Sequence, residues 1–570
     1  MDRIRILSVL VTVAGVILVG RYLQKAVFEH GTYRALANKQ YLEERDIPAR
    51  RGTIYATDKE GDSFADKTLA YYPLALDTLK YSVWVVPKNI ENPDEAAKKM
   101  KEIFPELDEA ALAGDFKTGK LYLPPIVRRV DKTVAGRVTE LNLRGVLVVP
   151  EHVRLYPEGA LASQMLGFVD REGAGQYGLE AQYQNLLVGQ AGKITGEKDT
   201  RGRFIATLSS EDSRDGASVV LSIDHAVQFM VEQKLKEAVE EKFKAKGGSV
   251  VVLNPKTGGI LAMASIPTFD PNKYNEVPTE GQKVFLNPAI SSIYEPGSVM
   301  KAVVMAGALS EGKVTPETEG TFSNMTVVDG YEIHTAEDKA FGKENMTQVL
   351  ENSDNVAMVW VADQLGNDLM YKNFSQFGFG EKTGIDLRSE ISGTLPALKN
   401  WRPIHRATTA FGQGIAVTPL QMVSAIGALG NKGKLMQPHL VEKIIYPDGQ
   451  EETIAPKEVR AAVSEQAAAD VTKMLISVVD NGHGKRAGVP GFYVAGKTGT
   501  AQIPNPSGGY YEDRHIGGFA GYFPANDPQF AMVVKLDEPQ GVKFAESSAA
   551  PLFGEIAAWL VNYAGLKPER

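Results

Sequence analysis

Three short stretches of this chain carry residue types that could move an acyl group without histidine or metal. The first, "YEPGSVMK", puts Ser298 after a Pro-Gly break and Lys301 three positions on. Residues three apart share a helix face, so the lysine amine comes within reach of the serine hydroxyl. An amine stripped of its proton by burial or by nearby cations can take the serine proton and make the hydroxyl a nucleophile. A serine that opens a helix also has a backbone N–H free for a developing oxyanion. The pattern alone is common, and Ser310 with Lys313 repeats it here.

The second stretch, "ENSDNVAM", holds the chain's one Ser-x-Asn, Ser353 and Asn355. A hydroxyl and a carboxamide two apart on a tight turn can face one cleft, the first relaying a proton and the second bonding a substrate amide. The third, "GFYVAGKTGT", can be read in two ways. Gly491, four residues, then Gly496-Lys497-Thr498 match a phosphate loop; Lys497-Thr498-Gly499 match a corner of a serine acyl-transfer site. A phosphate loop needs a strand before its first glycine and a helix from its Lys-Thr. Here "DNGHGKRAGVP" precedes it, strand-like Phe492, Tyr493 and Val494 fall inside it, and Gly499, Pro504 and Pro506 forbid the helix. The acyl-transfer reading prevails, with Lys497 at the end of a short strand that Thr500 to Ile503 continue. Two more Lys-Thr-Gly triplets, at Lys256 and Lys382, read as turns.

These residues need a scaffold, and 570 residues allow two or three domains. A net charge of −8 leaves no basic excess for nucleic-acid phosphates, which sets nucleic acid aside as a partner. Cysteine is absent and the eight histidines are scattered, so no disulfide framework, cysteine nucleophile, metal site or cofactor is expected. Ile6 to Gly20 carries no charge between flanking arginines and spans about 22 Å as a helix; with Tyr22, Leu23 and snorkelling arginines it can cross a membrane. We read 1–25 as a short N-terminus plus transmembrane signal-anchor. Residues 26–215 mix strand-like runs (Tyr81 to Val86, Gly145 to Val149) with polar and Pro/Gly-rich connections, an extended α+β module without catalytic residues. Near 216 the pattern changes to a helix with Val227, Met230, Val231, Leu235, Val239 and Phe243 at helical spacing, then the apolar strand pair of "GSVVVLNPKTGGILAMAS". "FAMVVKL" reads as a late strand and "APLFGEIAAWLVNYA" as a closing helix. A sheet flanked by the first and last helices is the simplest packing of 216–570. The fold class is α+β.

The ordered set Ser298-x-x-Lys301, Ser353-x-Asn355, Lys497-Thr498-Gly499 resembles the motif set of penicillin-binding proteins and class A β-lactamases. Nearly the whole chain resembles a class B penicillin-binding protein. "VVVLNPKTGGILAMASIPTFDPNKY" is similar to the start of that family's transpeptidase domain. "EHVRLYPEGALASQMLGFVDREGAGQYGLEAQYQNLLVGQAG" resembles its pedestal, or dimerisation-like, segment, with Arg154, Gly167, Gly178 and Glu180 matching. "GFGEKTGIDLRSEISGTLP" fits the stretch after the second motif, which gives the Lys382 triplet a non-catalytic place.

The resemblance implies a β-lactamase-like catalytic domain at 216–570, its helices packed on a mainly antiparallel sheet, held on the outer side of the cytoplasmic membrane by a single span. It implies a D,D-transpeptidase that cross-links peptidoglycan stem peptides ending in D-Ala-D-Ala, in septal or lateral growth, and is acylated by β-lactams. Ser298 would be the nucleophile, Lys301 the base, and Ser353 and Lys497 the proton path. Asn355 would bond the substrate, Thr498 and Thr500 its carboxylate, and the N–H groups of Ser298 and Thr500 the oxyanion. No polymerase domain precedes the pedestal, so a separate membrane glycan polymerase and other cell-wall synthesis proteins are expected partners. "SVMK" lacks the threonine often found after the nucleophile, Asn287 is followed by Pro288 where arginine is frequent, and Gly518 stands where serine is common. These departures bear on substrate preference. Two rivals are a D,D-carboxypeptidase or β-lactamase on the same fold, and a membrane-anchored regulator or sensor that does not turn over.

Overall fold

The uncharged N-terminal run folds as the 22-residue helix Asp2–Leu23, in which no side chain is buried. At 1.5 Å per residue it is about 33 Å long, enough to cross a ~30 Å hydrocarbon core. A wider turn, Gln24–Phe28, carries it past the expected limit at residue 25, and Asp2–Phe28 is long and apolar enough to cross a membrane. The structure, a computed structural model, describes residues 2–34, 42–59, 69–198 and 204–570. Residues 35–41, 60–68 and 199–203 of the expected pedestal lie outside the described residues.

Two compact units emerge, and they interleave along the chain. One takes the residues up to Arg51 together with Val188–Gly216. Its sheet is antiparallel, with Gly192–Lys198 between Leu42–Ile47 and Phe204–Glu211. The other takes Gly52–Leu187 and Ala217–Arg570. Within it, the run read as a strand from Tyr81 belongs to the longer strand Leu69–Val85, which pairs with Val146–Leu155 over ten residues. Arg154 lies on the second of these, and its Nε donates to Glu180 at 2.6 Å while a second nitrogen donates to the Gly52 carbonyl at 2.7 Å. Tyr156 OH donates to the same Glu180 oxygen at 3.2 Å. Glu180 is wholly buried, so the matched pair is an internal ion pair with its acceptor shared. Gly178 is needed close by, since its φ is +45° and a Cβ there would lie 2.4 Å from the Met165 carbonyl oxygen.

The C-terminal part of this unit is built on a five-stranded antiparallel sheet. Its strands are β1 (Gly247–Leu253), β2 (Ile260–Ile266), β3 (Ala495–Pro504), β4 (Tyr510–Phe523) and β5 (Phe530–Asp537). Their order is β2-β1-β5-β4-β3, which leaves β3 at an edge. Side chains of a strand alternate between faces. Val250, Val252, Met532 and Val534 point into one core, with the helices α1 (His225–Lys236) and α6 (Ala549–Tyr563); Val251, Leu253, Ala531 and Val533 point into the other. A sheet buried on both faces reads as continuous apolar runs, hence "SVVVL" and "FAMVVKL". The remaining main helices are α2 (Met300–Ser310), α3 (Asn355–Gln376, kinked at Gly366), α4 (Pro419–Gly430) and α5 (Glu465–Asp480). The first and last helices do pack on the sheet, both on the same face. Asp224 caps α1 by accepting the Val227 N–H at 3.0 Å, and the Tyr563 hydroxyl of α6 donates to the same carboxylate at 3.0 Å.

One local expectation fails. Phe492, Tyr493 and Val494 are not strand; β3 begins at Ala495 and contains the whole Lys497-Thr498-Gly499-Thr500 run. The Tyr493 N–H donates to Glu569 instead of a strand neighbour, so a contact with the C-terminal tail overrides β propensity.

Candidate active site

The motif residues come from a helix start, a junction between two helices and an edge strand. Pro296-Gly297 does break the chain, but Ser298 lies in a single 3₁₀ turn, Gly297–Val299, one step before α2 begins at Met300. Gly297 has φ +56°, and a Cβ there would come 3.0 Å from the Thr500 carbonyl oxygen. A Cβ on Gly499 would come 2.4 Å from the Pro296 carbonyl oxygen. Two glycines therefore let the nucleophile turn and the edge strand β3 touch backbone to backbone. Ser298 is half-buried, whereas Lys301 and Lys497 are both fully buried.

Ser353 owes its position to a helix end. The short helix Met346–Glu351 closes with the Asp354 N–H bonded to the Val349 carbonyl and the Ser353 N–H to the Leu350 carbonyl. That pattern places one residue in the left-handed region, usually a glycine. Here Ser353 takes it, with φ +55°, a conformation that costs roughly 1–2 kcal/mol for a residue with a Cβ. Asp354 at once caps α3 by accepting the Ala357 N–H at 3.0 Å. Ser353 thus projects from between two helices, neither of which can hide it.

The side chains converge on that serine. Lys301 Nζ donates to the Ser353 carbonyl at 2.6 Å, lies 3.2 Å from Ser353 Oγ, and donates to Asn355 Oδ1 at 2.7 Å. Lys497 Nζ lies 3.0 Å from Ser353 Oγ and 3.4 Å from Thr498 Oγ1. One hydroxyl bridges two buried amines. Burial pushes the Lys301 ammonium well below its usual range; the Lys497 charge pushes the same way and Asp354 opposes it. Burial also lowers Lys497, to about 7, against an opposing pull from Glu546. Two buried cations on one hydroxyl are costly, so at least one amine is neutral, the form a proton acceptor needs.

Lys301, Ser353, Asn355, Lys497 and Thr498 are thus joined by hydrogen bonds, with Gly499 and Thr500 against the Ser298 turn. The hydrogen bonds of Lys301 run to the second motif and none runs to Ser298. Asn355 is also committed in part, since its Nδ2 donates to the His334 carbonyl at 2.9 Å. Thr500 Oγ1 accepts the Ala545 N–H at 3.0 Å, which leaves its own hydroxyl proton available to another acceptor. The Ser310 decoy lies at the far end of α2, where its hydroxyl accepts the Ser464 N–H, and the Lys256 triplet closes the β1–β2 hairpin.

Sequence reasoning missed the loop that braces the nucleophile. The Gly297 N–H donates to the Gly412 carbonyl at 3.2 Å, Tyr294 and Val417 pair through their backbones, and Glu295 accepts the Gly414 N–H at 2.9 Å and the Tyr510 hydroxyl at 2.9 Å. Gly412 has φ +80°, and a Cβ there would overlap the Gly297 carbonyl oxygen at 2.1 Å. The glycine pair in "FGQG" was the available signal.

The chain is similar to known proteins over most of its length. The penicillin binding protein transpeptidase domain matches residues 248–558, and the penicillin-binding protein dimerisation domain matches 46–221. Stage V sporulation protein D of Bacillus subtilis is 34% identical over 87% of this chain and 77% of its own length. Peptidoglycan D,D-transpeptidase FtsI of Escherichia coli is 30% identical over 93% and 86%. Among solved structures, penicillin binding protein 3 of Mycobacterium tuberculosis in complex with aztreonam superposes with a TM-score of 0.70 at 28% identity, covering 92% of this chain and 98% of that one. With its buried two-lysine site, its edge strand and matches to both domains, this chain belongs to the class B penicillin-binding protein transpeptidases.

Proposed function

We infer that this chain is a membrane-anchored serine D,D-transpeptidase of cell-wall synthesis, and the observation that carries the site assignment is the Ser353 hydroxyl bridging Lys301 and Lys497. Neutral Lys301 takes the proton of Ser298 as Oγ attacks the carbonyl of the penultimate D-Ala. The oxyanion lies at the backbone N–H groups of Ser298 and Thr500. The C–N bond breaks, and the proton passes through Ser353 and Lys497 to the departing D-Ala amine. An amine of a second stem peptide then attacks the ester and restores Ser298. Thr498 and the Thr500 hydroxyl hold the terminal carboxylate, and Lys497 supports it by charge.

The edge position of β3 favours an extended ligand, because its free side can pair with a peptide backbone. β-Lactams enter by the same geometry and leave an acyl group on Ser298. We keep 26–215 as the pedestal and 216–570 as the catalytic domain, a division supported by the matched segments. The catalytic half works on the outer side of the membrane, with glycan polymerisation left to a separate membrane partner. Fluorescent penicillin should label the full-length chain covalently, with mass spectrometry placing the adduct on Ser298; an adduct on any other residue overturns the assignment.

A further inference from the structure

Beneath the second motif lie two carboxyl groups that the mechanism does not use. Glu344 sits on the short strand Gly342–Asn345, opposite Gly320 of Glu319–Phe322, and is 3% exposed; Asp354 is wholly buried. Each has one oxygen occupied. Glu344 Oε1 accepts the Asn352 amide at 2.7 Å, and Asp354 Oδ1 accepts the Ala357 N–H at 3.0 Å. The other two, Glu344 Oε2 and Asp354 Oδ2, are buried with no donor. The two side chains nevertheless lie within hydrogen-bonding reach of each other. Two ionised carboxylates cannot satisfy one another, but a single proton between them gives both free oxygens a partner.

We propose that Glu344 and Asp354 share one buried proton, and that Glu344 through this link is a positioning residue that holds Asp354, and so the charge facing Lys301, fixed at one negative unit. This rests on Lys301 being the base. The groups that face the pair are Glu351 on the helix Met346–Glu351, whose carboxylate accepts the Ser477 hydroxyl, and Lys301 on α2, with Lys497 of β3 beyond it. Lys343 beside Glu344 turns outward to Glu319. Burial, then the neighbouring Asp354 and Glu351, push the Glu344 carboxyl up to about 7, against the Asn352 hydrogen bond. Below that pH the pair carries one charge; above it the proton leaves, and the second charge favours the ammonium form of Lys301.

The amide variants separate this role from a merely structural one. Glu344→Gln and Asp354→Asn each keep every hydrogen bond of the singly protonated pair and remove the proton that can be lost. Acylation of the detergent-solubilised full-length chain by fluorescent penicillin should be followed from pH 5.5 to 9. Relative to its own rate at pH 6, E344Q should be about 3-fold or more faster at pH 8.5 than wild type, the effect of roughly half a pKa unit on Lys301. D354N should shift the same way. Profiles that superimpose on wild type after scaling overturn the proposal, and so does loss of the fold in both amides. Ser298→Ala in the same assay keeps the two readings apart: a labelled S298A sinks the active-site assignment, whereas an unlabelled S298A with unshifted amide profiles sinks only the shared proton.

Discussion

Two regions of this molecule bury charged side chains, and they do so to opposite ends. Arg154 and Glu180 bring opposite charges together at 2.6 Å, with the Gly52 carbonyl accepting from the first and the Tyr156 hydroxyl donating to the second. Lys301 and Lys497 bring like charges to one hydroxyl. In the first case opposite charges attract, and each offsets part of the other's desolvation. In the second, burial lowers the proton affinity of both amines, and the Lys497 charge lowers that of Lys301 further. A buried ion pair holds a shape; a buried pair of amines stores reactivity.

Removing the base should break that contrast most sharply. Lys301→Ala takes away the proton acceptor, so acylation by fluorescent penicillin should fall by about 10⁴-fold, the upper end for one proton-transfer group. The fully buried stem and its bonds to the Ser353 carbonyl and Asn355 are lost with it, so the rate is compared on the folded fraction. Near-normal labelling would move the base to another residue.

Lys497 should have the next largest effect. Lys497→Ala should slow acylation by about 10²- to 10⁴-fold, because a fixed donor to Ser353 and to the substrate carboxylate is lost. Lys497→Arg restores the charge on a planar head that cannot occupy the same point, so it should recover activity only in part. Equal rates for the two variants would show that charge plays no part there. A phosphate-loop role for the same lysine predicts measurable ATP affinity, which calorimetry on the wild type should not find.

The other half of the comparison fails in the fold and not in the chemistry. Arg154→Ala takes from the wholly buried Glu180 the guanidinium that donates to it at 2.6 Å, and the expected loss is about 3–5 kcal/mol of stability. Thermal unfolding should show it. The protein that remains folded should acylate at the wild-type rate, and a proportionate loss of rate would tie this ion pair to the active site.

Much of the site was legible because its parts are local. A serine and lysine three apart, a serine and asparagine two apart, and a Lys-Thr-Gly strand are short patterns whose geometry follows from one turn of backbone. The partners were less so. Lys301 bonds Ser353 and Asn355, which come from a different helix end, and nothing in "SVMK" announces that. The left-handed φ of Ser353 follows from one helix closing at Glu351 and another opening at Asn355, visible only when both ends are known. The Gly412 brace and the Glu344–Asp354 contact link segments far apart in the chain, where a single sequence gives no pairing signal. The same holds for the fold. The apolar strands and the first and last helices could be read, whereas the sheet that pairs Ser218–Asp224 with both Ile54–Lys59 and Val441–Ile445 joins three distant segments.

The smallest expected effect is also the one that tests what the buried amines cost. Lys497 titrates at about 7 in the folded protein and near 10.5 when unfolded. Between those values the unfolded state binds the proton that the folded state has released, so the contribution of this group to stability rises with pH across that window and is least favourable at and below pH 7. Replacing it by a residue that never ionises removes the term. Lys497→Met, which fills similar volume, should be more stable than wild type at pH 7 by about 1–4 kcal/mol, the range for exchanging buried ions for hydrocarbon. The advantage should shrink toward pH 10. Arg154 offers the control, since its partner is an opposite charge and Arg154→Met should be destabilised across the same pH range. Denaturant unfolding of both variants at pH 7 and 9.5 measures the difference. A Lys497→Met protein less stable than wild type at pH 7 would mean that this lysine is held there as a satisfied cation, and the contrast between the two buried pairs would fall with it.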